Sequence, residues 1–379
     1  MTAFVLVAVL VPVAAAQKPE PMRSDSGPIA GTPDSGKFKI TPLLAPAYNP
    51  EMQFLIAGGF LLSWKVGSPK QKLLIQRSTL SATVSFSTTG AINVSTVLTS
   101  FWAEDRLRVL LDLAMKDMPD NYWGVGYDAG LDPGSGDATT EYHRRWFKFN
   151  PRVLWHQSGR VFFGATLDLN NTHASSVSPT MAADPYYQRY GPDNQNAGVG
   201  FVIQYDSRDV AVNAWEGLYL GLTSTFYGHF LGGDNKYQTY LLDYRQYRQL
   251  GRKGRTLAWQ VKSRIGGHDV PWPELSLLGT GYDLRGYVEG RFRDRTTLLG
   301  LVEYRYMFLR DNGARLSRWG WVGWAGGGTL GTDLRSLTGF LPNAGLGLRF
   351  ELQPRANVRA DVGFGHNSHG IYFNFTEAF

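Results

Sequence analysis

The feature that most restricts the fold of this chain is a two-residue alternation of apolar and polar side chains, carried in runs too long for an ordinary sheet. Leu80, Ala82, Val84 and Phe86 alternate with Ser81, Thr83, Ser85 and Ser87, so an extended segment there has one greasy face and one polar face. Leu107, Val109, Leu111, Leu113 and Met115 stand in the same way against Arg108, Asp112 and Lys116. Phe147, Phe149, Val153 and Trp155 oppose Lys148, Asn150 and Arg152; Val199, Phe201, Ile203 and Tyr205 oppose Gly200, Gln204 and Asp206; Leu257, Trp259 and Val261 oppose Gln260, Lys262 and Arg264. A strand of a soluble sandwich is about five or six residues long. These runs reach about ten to fourteen, the length a tilted strand needs to cross a bilayer. Charges fall inside them on one parity only, which suits a wet interior and predicts an all-β, transmembrane antiparallel barrel.

Composition agrees where it can discriminate. The hydrophobic fraction of 43% is dispersed, and beyond the N-terminus no run of about 18 apolar residues could form a membrane helix. The mean hydropathy of -0.23 therefore argues against helical membrane proteins only, since a barrel averages its two faces. The chain has no cysteine and seven scattered histidines, which removes disulfides and thiolate sites and leaves no His-Glu-x-x-His spacing for a metal. A net charge of +6, spread along the strands, gives no patch for nucleic acid. No Gly-x-Ser-x-Gly elbow is present, and Gly326-Gly327-Gly328 lacks the Gly-Lys-[Ser/Thr] ending of a phosphate loop. Two acidic pairs, Glu303 with Asp361 and Asp112 with Glu351, have the residue types for acid and base work. Arg305, Arg349 and Arg359 make structural ion pairing the better reading, so no enzyme and no cofactor are expected.

The apolar stretch 4–16 ends in Ala14-Ala15-Ala16 before a polar Gln-Lys-Pro, which reads as a signal peptide over 1–16, although no Lys or Arg precedes it. Residues 17–36 are rich in Pro, Ser, Gly and Asp and read as a disordered tail. The barrel is assigned to 37–379. Tight turns are expected at Thr88-Thr89-Gly90, Ser158-Gly159, Gly251-Arg252-Lys253-Gly254 and Arg355-Ala356, and long connections over 168–194 and 266–295. Outer-membrane barrels place short turns in the periplasm and long loops outside. Preserving that alternation calls for a short fifth strand over 122–129, after a turn at Met118-Pro119-Asp120-Asn121, and brings the count to about sixteen.

The connection after the eleventh strand holds Leu277-Leu278-Gly279-Thr280-Gly281-Tyr282-Asp283-Leu284-Arg285-Gly286-Tyr287. Its glycines permit close backbone approach, and Arg285 offers a guanidinium fork that burial would force onto a carboxylate. The Leu284-Arg285-Gly286-Tyr287 run resembles the [Val/Ile/Leu]-Arg-Gly-[Phe/Tyr] signature of the BamA/TamA-like bacterial surface antigen superfamily of outer-membrane barrels. The likeness extends in order and spacing over nearly all of 37–379. It takes in Tyr205-Asp206-Ser207-Arg208-Asp209 before Trp215-Glu216-Gly217, Asp269-Val270-Pro271, Glu303-Tyr304-Arg305 and the closing Glu377-Ala378-Phe379.

The resemblance implies a long sixth outer loop folded back into the lumen, where Arg285, Gly286 and Tyr287 form a lock against an inward-facing acid, Asp361 or Glu303. Many relatives carry a further acid in an Asp-x-Gly motif on the thirteenth strand; here the run is Trp324-Ala325-Gly326, which favours Asp361 as the partner. It also implies that Tyr372, Phe373, Phe375 and the terminal Phe379 form a C-terminal assembly signal, and that a weak seam joins residues 53–65 to 371–379. Relatives insert barrel proteins into the outer membrane or move polypeptides across it, without nucleotide or metal. The segment before the barrel is too short for a polypeptide-binding POTRA domain, so the resemblance implies dependence on a periplasmic or outer-membrane partner protein. Expected contacts are outer-membrane lipid and unfolded outer-membrane client proteins, in a diderm bacterium. A passive channel and a structural subunit of an outer-membrane complex are the alternatives.

Overall fold

The computed structural model describes residues 38–49, 53–65, 77–132, 137–313, 315–353 and 355–379; the signal-peptide and tail readings of 1–36 lie outside them. Sixteen long strands follow one another: β1 (Phe38–Asn49), β2 (Gln53–Trp64), β3 (Ser78–Ser87), β4 (Ile92–Trp102), β5 (Leu107–Asn121), β6 (Glu141–Ser158), β7 (Val161–Ser175) and β8 (Asp193–Asp206). They continue with β9 (Gly217–Tyr227), β10 (Tyr237–Gln249), β11 (Arg255–His268), β12 (Thr296–Arg310), β13 (Arg315–Gly331), β14 (Thr338–Gln353), β15 (Ala356–Gly365) and β16 (Ser368–Phe375). Each pairs antiparallel with its sequence neighbours in one sixteen-stranded sheet. The sheet curls until its two ends lie side by side, β1 against β16. Gln353, at the end of β14, donates to Thr41 of β1 at 2.7 Å and accepts from Ser63 of β2 at 2.5 Å.

Burial along the strands is inverted relative to a water-soluble protein. On β8, Phe201, Ile203 and Tyr205 are 37–41% exposed while Gln204 and Asp206 between and beside them are 4% and 7% exposed. Phe147, Trp155, Phe163 and Phe226 also face outward. Such a surface is stable only against lipid, with the polar parity turned to the interior. No helix among the described residues is long and apolar enough to cross a membrane.

Three expectations need correction. Residues 122–129 form no strand: β5 runs straight through the expected turn at Met118–Asn121, and Tyr127–Leu131 is a short helix. Pro119 is tolerated because β4 pairs with β5 only as far as Asp117. Beyond that point one edge of β5 has no ladder partner among the described residues, and a missing N–H costs little. The count of sixteen is reached instead at the N-terminal end, where β1 precedes the strand expected first, so β1 rather than 53–65 lies beside β16.

The rule assigning short turns to one rim also fails locally. The turn at 88–91 lies on the rim of the long loops, while a ten-residue connection, 207–216, lies on the rim of the short turns. The connection expected over 168–194 is shorter: β7 continues to Ser175, and two short helices, Pro179–Ala183 and Pro185–Tyr190, fill the gap to β8.

Candidate functional site in the barrel lumen

The connection 269–295 enters the lumen and packs on the inner face of the C-terminal strands. Its base is a small hairpin of Ser276–Leu278 with Phe292–Asp294. Leu278, Leu284, Tyr287 and Phe292 pack with Leu299, Leu301, Leu330 and Leu341 from the wall. At the tip, the Asp283 carboxylate accepts from the backbone N–H groups of Gly279, Thr280 and Leu284 at 3.1, 2.6 and 2.5 Å, which fixes the turn before Arg285. Burial raises the Asp283 carboxyl above its ordinary value, with Lys262 acting in the opposite direction.

Arg285 is fully buried. It donates Nη1 to Asp361 Oδ2 at 2.7 Å and Nη2 to Glu303 Oε1 at 2.5 Å, so both candidate acids meet it at once. The network continues outward. Asp361 also accepts from Arg349 at 2.5 Å and Arg359 at 2.7 Å, Glu303 accepts from Arg305 Nε at 2.9 Å, and Arg349 reaches Glu377 at 2.8 Å. Four guanidinium groups thus face three carboxylates in a buried cluster, each dividing its N–H groups between different acceptors, and these charge-assisted hydrogen bonds offset part of the desolvation. Arg359 further holds the loop by donating to the Gly281 carbonyl at 2.6 Å.

The backbone approaches as closely as the side chains. Gly286 has φ +116°, and a Cβ there would lie 2.7 Å from the Gly363 carbonyl carbon; a Cβ on Gly363 would lie 2.2 Å from the Arg285 carbonyl oxygen. Only glycine satisfies both the dihedral and the approach. The Gly286 N–H donates to the Tyr372 hydroxyl at 3.0 Å, and that hydroxyl donates to the Tyr287 carbonyl at 3.2 Å. Tyr287 in turn donates its hydroxyl to the Pro342 carbonyl at 2.8 Å.

Trp324, on β13, lies under Arg285 with the guanidinium carbon 3.5 Å from its ring centroid. The indole N–H donates to Asn343 Oδ1 at 2.9 Å, and Asn343 donates to the Arg285 carbonyl at 2.5 Å. The ring supplies attraction through its π face without adding a fourth negative charge. Neither Trp324 nor Asn343 could be assigned a role from the sequence. Trp324→Phe keeps a ring and loses the N–H, so it is expected to lower folded-barrel stability by about 1 kcal/mol; denaturant midpoints in lipid vesicles provide the check, and a midpoint equal to wild type counts against the contact.

The structure does not group the four expected C-terminal residues. Tyr372 points inward onto the loop, Phe373 is 45% exposed on the lipid side, and Phe375 shares its parity. After β16 the backbone reverses at Thr376, φ +64°, and carries Glu377, Ala378 and Phe379 into the interior. Phe379 packs near Tyr247 and accepts through its carbonyl oxygen from Arg305 at 2.8 Å, so its side chain is not part of the outer face. The Glu377 carboxyl, although buried, is held below its usual range by Arg349 and Arg305. Asp112 and Glu351 are not partners: Asp112 meets Arg152 at 2.6 Å, and Glu351 accepts from the Arg355 backbone at 2.7 Å. Among the described residues no cluster of three or more metal-ligating side chains occurs.

Inverted burial, an antiparallel cylinder and a loop seated inside it define a β-barrel protein of the outer membrane. The family model for the Omp85 superfamily domain matches residues 77–379, and the chain belongs to the Omp85 superfamily. It is therefore an outer-membrane protein of a diderm bacterium, with the 269–295 loop on the outer side and the 207–216 connection on the periplasmic side.

The fold is similar to that of BamA from Haemophilus ducreyi lacking POTRA domains 1-3, at 12% identity and TM-score 0.56 over 90% of this chain and 69% of that one. It is also similar to CdiB from Acinetobacter baumannii, at 13% identity and TM-score 0.55 over 90% and 60%. CdiB from Escherichia coli gives 12% and 0.53 over 92% and 63%. The chain thus spans under two thirds of either CdiB chain. No curated protein matches it by sequence.

Proposed function

We propose that this barrel inserts polypeptides into the outer membrane or passes them across it. The observation that carries the reading is the placement of the Arg285 cluster. It rests on β12, β13, β14 and β15, with Tyr372 of β16 closing over Gly286, so the inner loop braces the strands that lead to the β1/β16 boundary. β16 has only eight residues, the fewest of the sixteen strands, and offers the shortest ladder to its neighbours. The proposed work is a lateral opening at that boundary, with the loop lock of Arg285, Gly286, Tyr287, Asp361 and Glu303 keeping the lumen in register while β16 moves. Unfolded outer-membrane proteins are the proposed clients, delivered by a periplasmic or outer-membrane partner, and Tyr372, Phe373, Phe375 and Phe379 serve the barrel's own assembly.

Depleting the protein in its host is expected to lower the folded, heat-modifiable levels of other outer-membrane barrels, or the surface display of a transported protein. Unchanged levels of both would remove the proposal. A second reading, a passive channel, is favoured by the cavity of about 990 Å³ beside the loop, lined by Thr79, Ser81, Thr83, Ser95 and Thr99 on one wall and Arg152, Arg245 and Lys262 on the other. Steady open conductance in planar bilayers, with no effect of depletion on other barrels, supports that alternative.

A further inference from the structure

The 207–216 connection is the longest described on the periplasmic rim, and it is folded as a unit. Asp209 Oδ1 accepts from the backbone N–H groups of Val210, Trp215 and Glu216 at 2.9, 3.0 and 3.4 Å. Arg208 bonds Asp206 and the Ala211 carbonyl. Ala214 is buried beside Tyr247, Ala258 and Phe379, so the connection lies across the mouth of the barrel and not away from it.

One residue from a distant turn grips this unit. Arg355, between β14 and β15, donates Nη2 to Asp209 Oδ2 at 2.8 Å and both Nε and Nη2 to the Asn213 carbonyl at 2.9 and 2.5 Å. Its guanidinium carbon lies 3.6 Å from the Trp215 ring centroid, and its own N–H is held by Glu351. The Arg355 backbone is left-handed, φ +62°, a conformation that glycine or asparagine adopts at lower cost. An arginine there loses backbone freedom and gains a fork, a cation and a plane, all of which are used.

We propose that Arg355 is a periplasmic latch: it clamps the 207–216 connection over the mouth and ties the β14/β15 turn to β8 and β9, six strands away along the wall. The β14/β15 turn is one strand removed from β16, so the latch restrains the same part of the wall as Arg285 does, from the opposite end. Its action is to floor the lumen, and this holds whether or not the barrel handles polypeptides.

Thr256 reports on the floor. It is fully buried and shares with Asn213 and Trp215 a pocket of about 10 Å³, room for about one water. The chain has no cysteine, so Thr256→Cys introduces a single thiol, and Thr296→Cys places an equally buried control at the outer end of β12, away from the periplasmic rim. Refolded full-length barrels in vesicles of phosphatidylcholine are treated with a membrane-impermeant maleimide, and folding is confirmed by the heat-modifiable band. Thr256→Cys is expected to react slowly, and at least about tenfold faster when combined with Arg355→Ala, while Thr296→Cys changes by less than twofold. Asp209→Asn serves as the second opening variant if Arg355→Ala does not fold, with an increase of about threefold or more. Rates for the Thr256→Cys thiol that stay within twofold in a folded opening variant overturn the latch. An equal acceleration of the Thr296→Cys thiol also overturns it, since that would mean general loosening.

Discussion

Replacing Asp361 with alanine is expected to destabilise the folded barrel by roughly 3–5 kcal/mol, the cost of leaving buried guanidinium groups without their carboxylate. Asp361 accepts from Arg285, Arg349 and Arg359 at 2.5–2.7 Å with its own side chain fully buried. Truncation leaves Glu303 and Glu377 as the side-chain carboxylates facing four arginines, and Arg285, Arg349 and Arg359 each lose an ion-pair partner. Asp361→Asn keeps an acceptor oxygen without the charge and falls between. Arg285→Met leaves Asp361 with Arg349 and Arg359 and Glu303 with Arg305, so it should cost less than Asp361→Ala in stability while freeing the loop from β12 and β15. The measurement is the urea midpoint of the heat-modifiable band in lipid vesicles, with protease cleavage within 279–287 as the reading of loop release. A shift below about 1 kcal/mol for Asp361→Ala would mean that water enters the cluster, and the lock would lose its physical basis.

The parts of this design that could be read from the sequence are those with a local period or a local motif. Val199, Phe201, Ile203 and Tyr205 announce an outward face by alternation alone, and all four are exposed as a lipid surface requires. Arg285 is marked by the glycines around it. The first two strands were harder to see. In β1, Pro42 and Pro46 interrupt the pattern, and in β2 Ala57, Gly58 and Gly59 thin out the greasy face, so one strand was expected where two stand. The extended end of β5 was hidden by Pro119, because tolerance of that proline depends on where β4 stops.

Contacts between residues far apart in the chain were beyond reach for a different reason. Whether Arg285 would face one acid or two depends on how far β12 and β15 lie from the loop across the lumen. Alternation gives the side of the wall on which a residue sits, and not the distance across. Trp324 shows the same limit. An aromatic on an inward position predicts burial, but its place beneath a guanidinium follows from the shape of the closed barrel. The reversal at Thr376 likewise could not be anticipated, since Glu377 and Phe379 have the parity of Phe373 and Phe375 and would point outward if β16 simply continued.

Acidification is expected to tighten the outer half of the inner loop, through Glu274. This residue lies on a short 3-10 helix, Trp272–Glu274, where the loop leaves β11, and it is 7% exposed. Its Oε1 accepts from Asn170 of β7 at 2.6 Å, and Asn170 is oriented by Trp146, which donates to its carbonyl at 2.8 Å. The nearest guanidinium, Arg264, stands 3.8 Å from Oε2, too far for a full charge-assisted bond. Burial pushes the carboxyl up to about 7, opposed by Arg264, reinforced by Asp168 and moderated by Lys148 and Arg144. Tyr227 and Tyr237 pack against the adjoining Leu275 and help to keep water from this part of the loop.

Because the docked value lies above the undocked one, docking favours the protonated acid. Its contribution is complete below about pH 4.5 and declines as pH rises to about 7, by roughly 1.4 kcal/mol per unit. The total is roughly 3 kcal/mol over that window, and no further change follows above it. Amide hydrogen exchange over 272–278 should therefore be slower at about pH 5 than at about pH 7.5 after correction for the intrinsic rate. Glu274→Gln, which keeps an acceptor for Asn170 and cannot ionise, should show the slow, acid-like protection at both values. Equal corrected protection at the two pH values in the wild-type barrel would show that the protonation of Glu274 does not contribute to docking of the loop.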